Sequence, residues 1–385
     1  MSTPTLASRL PQVGTTVFTQ MSQLALEHGA VNLGQGFPDF ACDPKLVDLV
    51  SAAMRAGHNQ YAPMAGLPLL RQAVAAKIAA TYGHQYDADT EITITAGASQ
   101  AIHSAILAVV HPGDEVIVIE PAYDCYAPAI ALAGGVVVPV AMRVDAGGYS
   151  VPWDAVAAAV TPRTRMIVVN TPHNPTGTIL RQADLDALAK IVADSAILVL
   201  SDEVYEHMVY DGAQHASVAR DPRLAERAFV VSSFGKPFHV TGWKIGHVAA
   251  PAALTHELRK VHQYNVFCVS APMQHAIAAY LEDPAPWRDL PAFYQKKRDL
   301  LRAGLRSSRL TLLPSHGTYF QCVRYDAVSS LPDTEFAHWL TREAKVAAIP
   351  VSAFYSQPPQ SQVVRLCFAK KDETLHLALE RLARL

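Results

Sequence analysis

The chain has 385 residues, of which 50% are hydrophobic and 17% are charged, and its formal net charge is −2. This composition excludes a disordered chain and predicts a large buried core, and the length predicts one large domain with a smaller second one. Because the charge is close to neutral and no basic tract is present, the sequence argues against nucleic acid or an anionic membrane surface as a partner.

The cysteines and the N-terminus point to a soluble cytoplasmic protein. No CxxC pair and no HExxH motif occurs, so we expect neither a disulfide framework nor a metal site, although the chain has sixteen histidines. The first residues do not have the pattern of a secretory signal, and no uninterrupted apolar stretch reaches the length of a membrane span. The five cysteines are scattered along the chain at Cys42, Cys125, Cys268, Cys322 and Cys367.

Strand-like and helix-like segments alternate along most of the chain. Helical stretches rich in alanine and leucine at 99–110 and 182–194 lie between short apolar runs, and this alternation predicts a mostly parallel α/β sheet that is covered on both faces. From residue 286 the pattern changes to a charged helix at 294–306, short strands and a final helix that ends at Leu385, which predicts a smaller α+β domain. The apolar runs are at 91–95, 115–119, 166–169, 197–200, 229–231 and 245–249.

Candidate site residues follow the predicted strands, because ligands of open parallel sheets bind at the carboxyl ends of the strands. Gly97, Ala98 and Ser99 open a helix directly after a strand, and backbone amides at a helix N-terminus can bind a phosphate. A glycine turn required only for steric reasons is the alternative for this loop.

Two further strand ends carry polar side chains. Asn174 lies in a loop with two prolines after the run at 166–169, where it either presents its amide to a ligand or merely forms a turn. Asp202 follows four apolar residues, so it either pairs with a buried cation or caps a helix.

The fourth strand end carries the most informative motif, Ser233-Phe234-Gly235-Lys236, and a second cation, Lys244, follows eight residues later. A lysine with a hydroxyl and another cation beside it suits an amine that binds an aldehyde next to a phosphate, as pyridoxal phosphate (PLP) requires. The Ser-x-x-Lys spacing also occurs in penicillin-binding enzymes, but the further motifs of those enzymes are absent here.

Taken together, these motifs resemble the class I aminotransferases of PLP fold type I over essentially the whole chain. The stretches at 32–40, 58–63 and 201–207 are similar to the branch that contains bacterial methionine aminotransferases and kynurenine aminotransferase (glutamine transaminase K). The resemblance implies a large PLP-binding domain at 42–285 with a mostly parallel seven-stranded sheet. It also implies a small C-terminal domain at 286–385, with an N-terminal arm at 1–41 that forms part of it.

The resemblance also implies the roles of the cofactor-binding residues. Lys236 would form the Schiff base with PLP and move the substrate proton, and Asp202 would pair with the ring nitrogen. Asn174 and Tyr205 would bind the ring hydroxyl oxygen, while Tyr123 would stack on the ring. The phosphate would be held by Gly97, Ala98, Ser99, Ser233 and Lys244, with Tyr61 reaching it from the partner subunit of a homodimer that shares its active sites.

The implied substrate site is centred on Arg365, which would bind the α-carboxylate with help from Gly36 and Asn174. A structural salt bridge is the alternative for this arginine. Phe18, Tyr61 and Phe267 would line an apolar side-chain pocket.

The predicted activity is therefore a ping-pong transfer of the amino group from a large neutral amino acid to a 2-oxo acid. Methionine, aromatic amino acids, glutamine and kynurenine are the candidate donors, and Cys268 stands where kynurenine enzymes carry histidine. A cysteine-S-conjugate β-lyase is the alternative within PLP enzymes. A PLP-binding transcriptional regulator would need a DNA-binding domain, and a nucleotide dehydrogenase would need a GxGxxG motif, both of which the sequence lacks.

Overall fold

The computed structural model describes residues 6–145 and 147–385, in which the chain forms fifteen strands and fourteen α-helices. The strands are β1 (Val31–Asn32), β2 (Ile92–Thr95), β3 (Glu115–Glu120), β4 (Val136–Ala141), β5 (Arg143–Asp145), β6 (Gly148–Ser150), β7 (Thr164–Asn170), β8 (Leu198–Asp202), β9 (Ala228–Ser233), β10 (Gly246–Ala249), β11 (Thr311–Leu312), β12 (Phe320–Arg324), β13 (Val346–Ala347), β14 (Ile349–Pro350) and β15 (Val363–Cys367). The helices are α1 (Val17–Glu27), α2 (Pro44–Arg55), α3 (Pro68–Tyr82), α4 (Gly97–Val109), α5 (Tyr126–Leu132), α6 (Trp153–Ala158), α7 (Gln182–Val192), α8 (Pro222–Ala225), α9 (Ala252–Asn265), α10 (Ala271–Tyr280), α11 (Ala285–Arg288), α12 (Leu290–Leu305), α13 (Asp333–Arg342) and α14 (Asp372–Leu382).

The centre of the molecule is a seven-stranded sheet with the strand order β2-β10-β9-β8-β7-β3-β4. The pairs β3/β4, β3/β7, β7/β8 and β8/β9 are parallel, whereas β10 is antiparallel to both β9 and β2. Two antiparallel steps restore the direction, so β2 runs the same way as β9. The carboxyl ends of β2, β3, β7, β8 and β9 therefore meet at one edge, and the predicted mostly parallel seven-stranded sheet is confirmed.

Except at β4, both faces of this sheet are buried. Successive side chains of a strand point to opposite faces, and in the inner strands both sets of side chains are covered. In β3, Ile117 and Ile119 belong to one hydrophobic cluster, whereas Val116 and Val118 belong to another that also contains residues of α4 and α5. In β8, Leu200 lies on the α4/α5 face. Asp202 has the same parity as Leu200, so its carboxylate is directed to the α4/α5 face.

The C-terminal part forms a four-stranded antiparallel sheet with the order β11-β12-β15-β14. Its hydrophobic cluster includes Met21, Val31 and Leu33 from the N-terminal segment, and β1 pairs with β13. The N-terminal segment thus packs on the C-terminal part of the chain. The domain boundaries after residues 41 and 285 stay predictions.

All six apolar runs that were read as strands of the large domain form strands of the central sheet. The seventh strand, β4, was not among them, because Pro139 interrupts its apolar run. Proline is tolerated there since β4 is the last strand of the sheet and has one edge without a partner.

Among the residues with described structure, no helix is both long and apolar enough to cross a membrane.

The loop before β12 packs closely against the segments that follow β7 and β8. Gly317 donates its backbone N–H to the carbonyl of Gly177 at 2.9 Å and forms a bridge with Val209. A Cβ atom on Gly317 would lie 2.6 Å from Cβ of Pro172 and 2.9 Å from the carbonyl oxygen of Met208. The contact therefore leaves no room for a side chain at position 317.

We predict that Gly317→Ala lowers the free energy of unfolding by about 1–3 kcal/mol, because the added methyl group overpacks a contact made by backbone. Chemical denaturation measures this change. Gly14→Ala is the control, since a Cβ atom there has no neighbour within 4 Å. An unfolding free energy of Gly317→Ala equal to that of the wild type would contradict the prediction.

Candidate active site

A cavity of about 240 Å³ lies at the carboxyl edge of the central sheet. It is bounded by loops that follow β2, β7, β8 and β9 and by side chains of β12 and β15. Of the residues predicted from the sequence, the cavity is lined by Phe18, Gly36, Gly97, Ala98, Ser99, Tyr123, Asn174, Asp202, Tyr205, Ser233, Lys236, Lys244 and Arg365. The fold thus brings together all of the predicted site residues except Tyr61 and Phe267.

Lys236 borders this cavity just after β9. Its Nζ donates a hydrogen bond to the hydroxyl oxygen of Tyr319 at 3.1 Å. Burial lowers the pKa of Lys236 to about 8; the positive charges of Lys244 and Arg365 act in the same direction, while Cys367 and Asp202 oppose it. A lysine with this pKa has a sizeable neutral fraction near pH 8, and only the neutral amine is a nucleophile.

Asp202 is buried at the end of β8. Its Oδ2 accepts a hydrogen bond from the hydroxyl of Tyr126 at 2.6 Å, and its Oδ1 accepts one from the backbone N–H of Val204 at 3.3 Å. Burial raises the pKa of Asp202 to about 6, an effect that these two hydrogen bonds and the charge of Lys236 oppose. Within the described parts of the chain no salt bridge involves Asp202, so its carboxylate can accept a cationic ring nitrogen.

Arg365 lies on β15 with only 1% of its surface exposed. Its Nη1 donates to Oδ1 of Asn174 at 2.8 Å and its Nη2 donates to the carbonyl of Gly34 at 2.9 Å, while Nε has no partner. A structural salt bridge was the alternative for Arg365, but no acidic side chain in residues 6–145 and 147–385 pairs with it. A buried guanidinium with neutral partners only can bind a carboxylate ligand.

The start of α4 forms an anion cradle with Lys244. Gly97 has a φ of +75°, and a Cβ atom there would lie 3.5 Å from Nζ of Lys244, so the ammonium lies beside the first turn of the helix. Free N–H groups and the positive end of the helix dipole favour an anion at this position. The hydroxyls of Ser99 and Ser233 line the same cavity. These donors are suited to a phosphate group.

Hydrogen bonds tie the loop of Asn174 to the strand end that carries Asp202. Asn170 is the last residue of β7. Its Oδ1 accepts a hydrogen bond from the backbone N–H of Asn174 at 2.8 Å, and its Nδ2 donates one to the backbone carbonyl of Asp202 at 2.8 Å. Tyr205 is buried nearby, with the centre of its ring 5.4 Å from Nζ of Lys236. Burial raises the pKa values of Tyr123 and Tyr205, so both phenols stay protonated.

The donor set therefore fits PLP. The cavity presents an amine for the aldehyde, a buried carboxylate for the ring nitrogen, phenol and amide groups for the ring oxygen, and an anion cradle for the phosphate.

Several residues of the site were not predicted from the sequence. Tyr126 contacts Asp202, Tyr319 contacts Lys236 and Asn170 links two loops. No local signal identifies these contacts, because the contacts of Tyr126 with Asp202 and of Tyr319 with Lys236 depend on packing between distant segments. Besides Asn170, the residues that line the cavity and were not predicted are Gln35, Phe37, Ile102, Val204, Thr241 and Phe320.

Tyr61 and Phe267 do not line the cavity of their own chain. They lie together at the surface with ring centroids 5.2 Å apart in an edge-to-face arrangement, and their surfaces are 82% and 44% exposed. The predicted contact of Tyr61 with a partner's phosphate stays a prediction. Phe267 lies beside Tyr61, so its predicted place in a substrate pocket depends on the same partner.

Comparison with protein families gives one match over most of the chain. Residues 29–382 match the family described as aminotransferase class I and II. Several relatives match almost the full length of the chain, among them the following three. A methionine aminotransferase from Escherichia coli (strain K12) is 52% identical over 379 residues, which are 98% of this chain and 98% of the relative.

The other two relatives carry different names. A probable N-succinyldiaminopimelate aminotransferase from Mycobacterium tuberculosis is 42% identical over 387 residues, covering 98% of this chain and 97% of the relative. The kynurenine–oxoglutarate transaminase 1 of Mus musculus is 35% identical over 415 residues, covering 99% and 98%. Among solved structures, YbdL from Escherichia coli, described with a methionine aminotransferase function, superposes with a TM-score of 0.97 and 51% identity over 100% of both chains.

The lowered pKa of Lys236 predicts how the PLP-free protein captures PLP. Because only the neutral amine attacks the aldehyde and the pKa is near 8 instead of near 10.5, the capture rate should rise with pH through a midpoint near 8. Stopped-flow absorbance measures this rate, and free Nα-acetyl-lysine is the reference amine with an unshifted pKa. A midpoint close to that of the reference amine would contradict the prediction.

Proposed function

This chain belongs to the class I and II aminotransferase family, whose members use PLP, and we propose that its amino donor is methionine or another large neutral amino acid, with a 2-oxo acid as the acceptor. The observation that carries this proposal is the buried guanidinium of Arg365, which shares one cavity with Lys236 and has neutral partners only. An α-amino acid has the two groups that such a cavity accepts, a carboxylate for Arg365 and an amine that reaches Lys236.

We assign the roles of the site residues from their contacts. PLP, when bound, withdraws the electron pair that is left on Cα after its proton is removed. Lys236 removes that proton as a general base and returns it as a general acid, a task that suits an amine with a pKa of about 8. Asp202 would pair with the protonated ring nitrogen, with Tyr126 keeping its carboxylate in place. Tyr205 and Asn174 would hold the ring oxygen, and Tyr123 would cover the ring.

The charges that line the cavity favour a neutral side chain on the donor. The lining cations are Lys236, Lys244 and Arg365, and each already has a role with the aldehyde, the phosphate or the α-carboxylate. Among the described residues of this chain, no lining cation is left for a second carboxylate, as aspartate or an N-succinyl amino acid would require. Phe18, Phe37 and Phe320 supply apolar surface instead, which favours methionine and phenylalanine.

The assembly that we propose is a homodimer with shared active sites. Tyr61 and Phe267 form an exposed aromatic pair outside the cavity of their own chain, and Tyr264 is a further aromatic side chain that is 89% exposed. Exposed aromatic groups of this size favour a protein interface. We also propose a reducing cytoplasm as the compartment, because the cysteines of the described residues are free.

A panel of amino donors with the purified enzyme tests the substrate class. We predict that methionine and phenylalanine are used with kcat/KM values at least about tenfold above that of aspartate, because a carboxylate side chain would be buried without a partner. The rate with each donor is measured by chromatography of the 2-oxo acid that forms from it. A preference for aspartate or for an N-succinyl donor would overturn the proposed donor class. Pyruvate and ammonia released from a cysteine conjugate without an acceptor would indicate the β-lyase instead.

The role of Lys236 has a separate test. Lys236→Ala should reduce turnover by at least about 10³-fold, because proton transfer at Cα loses its base. The control is Lys190→Ala, which removes an exposed lysine from the end of α7. If Lys236→Ala keeps the activity of the control, the assigned base is wrong.

Arg365→Lys tests the carboxylate site. Lysine keeps the positive charge but lacks the two-pronged guanidinium, so we expect kcat/KM for methionine to fall by about 10- to 100-fold. Arg298→Lys is the matched control, because Arg298 is also buried but pairs with Asp211 at 2.6 Å outside the cavity. Equal losses of kcat/KM in both variants would contradict the proposal that Arg365 binds the substrate carboxylate.

A further inference from the structure

The hydroxyl group of Tyr319 connects Lys236 with the backbone of Gly36. Tyr319 is fully buried directly before β12, and its hydroxyl hydrogen-bonds to the carbonyl oxygen of Gly36. Nζ of Lys236 lies 3.1 Å from the same hydroxyl oxygen. The three groups form a chain from a backbone carbonyl through a phenol to an amine.

The direction of both hydrogen bonds follows from the number of protons. A phenol has one proton to donate, and the carbonyl of Gly36 can only accept, so the hydroxyl of Tyr319 donates to Gly36. Its oxygen therefore acts as an acceptor toward Lys236, which donates an N–H. Burial raises the pKa of Tyr319 well above its usual value, so the phenol keeps the proton that this arrangement needs.

We propose that Tyr319 is a positioning residue for Lys236, whose amine it holds by one N–H so that the nitrogen lone pair stays free. This inference rests on the proposed function, in which Lys236 attacks the aldehyde and moves the proton at Cα. A hydroxyl that donated to Lys236 would occupy the lone pair and block both tasks. The bond from Tyr319 to Gly36 prevents that orientation.

The connection also sets the amine relative to the proposed carboxylate site. A Cβ atom on Gly36 would lie 3.0 Å from the ring of Phe320 and 4.0 Å from Nη2 of Arg365, so Gly36 is adjacent to the guanidinium. Since Tyr319 bonds to this backbone, it links the position of Nζ to the position at which the substrate carboxylate binds. A lysine side chain has four rotatable bonds, and without this anchor its amine would sample more positions.

Tyr319→Phe tests the proposal, because it keeps the ring and its packing and removes only the hydroxyl. The first measurement is the rate at which the PLP-free protein captures PLP as a function of pH. We expect the rate at high pH to fall by about tenfold, which corresponds to the loss of one hydrogen bond to the amine. The midpoint should also move to lower pH, since the hydroxyl oxygen favours the charged form of Lys236 and its removal lowers the pKa.

The matched control is Tyr210→Phe. Tyr210 is also fully buried, but its hydroxyl donates to the carbonyl of Thr318, whereas the hydroxyl of Tyr319 contacts Lys236. The other charged and titratable groups around Lys236 are the same in both variants; they are Asp202 from β8, Tyr205 from the segment after β8, Lys244, and Arg365 and Cys367 from β15. Any difference between the two variants in the capture midpoint therefore reports on the hydroxyl of Tyr319.

The outcomes separate the two proposals. A slower capture and a lower midpoint in Tyr319→Phe, with neither change in Tyr210→Phe, would support the positioning role. An unchanged rate and midpoint in Tyr319→Phe, or equal changes in both variants, would overturn it while Lys236→Ala still tests the proposed function. If Lys236→Ala itself keeps its turnover, both proposals fall.

Discussion

Charged side chains enclosed in protein without charged partners are the constraint on which this site depends. Asp202 and Arg365 are buried, and within the described residues neither forms a salt bridge. Burial shifts the pKa of Asp202 up and lowers the pKa values of Lys236 and Arg365, which means that each charge loses solvation that the protein does not replace. The fold keeps Asp202 and Arg365 in positions where a cationic ring nitrogen and a carboxylate can stabilise their charges, and it keeps Lys236 where its neutral amine can react with an aldehyde.

The central sheet supplies the rigidity that such a site requires. Asp202 and Glu203, at the end of β8, point to opposite faces of the sheet. Asp202 is directed to the α4/α5 face and into the cavity. The carboxylate of Glu203 accepts hydrogen bonds from the hydroxyl of Ser201 at 2.8 Å and from the backbone N–H of Val218 at 3.0 Å. Glu206, one turn further on, accepts from Ser232 at 2.6 Å and pairs with Lys77 at 2.9 Å. Breaking a buried pair is costly, since it leaves a charge without a partner. This buried network therefore holds the segment 203–206, which follows β8, in one position.

The same sheet explains how segments far apart in sequence reach one cavity. Helix α4 begins directly after β2, Asn174 follows β7, Asp202 ends β8 and Lys236 follows β9, and the parallel direction of these strands brings their ends to one edge. Arg365 comes from the antiparallel sheet of the C-terminal part and meets Asn174 across the cavity. Both parts of the chain therefore contribute to the proposed site, the central sheet to the cofactor groups and the C-terminal sheet to the carboxylate site.

The fold class, the positions of the strand ends and the residue types that carry the chemistry could be predicted from the sequence, because hydrophobic periodicity and motif spacing are local properties of the chain. Lys236, Asp202, Asn174 and the start of α4 could be chosen for that reason. The contacts of Tyr126 with Asp202 and of Tyr319 with Lys236 and Gly36 became visible only in the folded structure. These contacts join residues 76, 83 and 283 positions apart, and no local pattern encodes which buried hydroxyl meets which partner. The folded structure also places Tyr61 and Phe267 at the surface of their own chain, since a side chain's exposure depends on the packing of the whole fold.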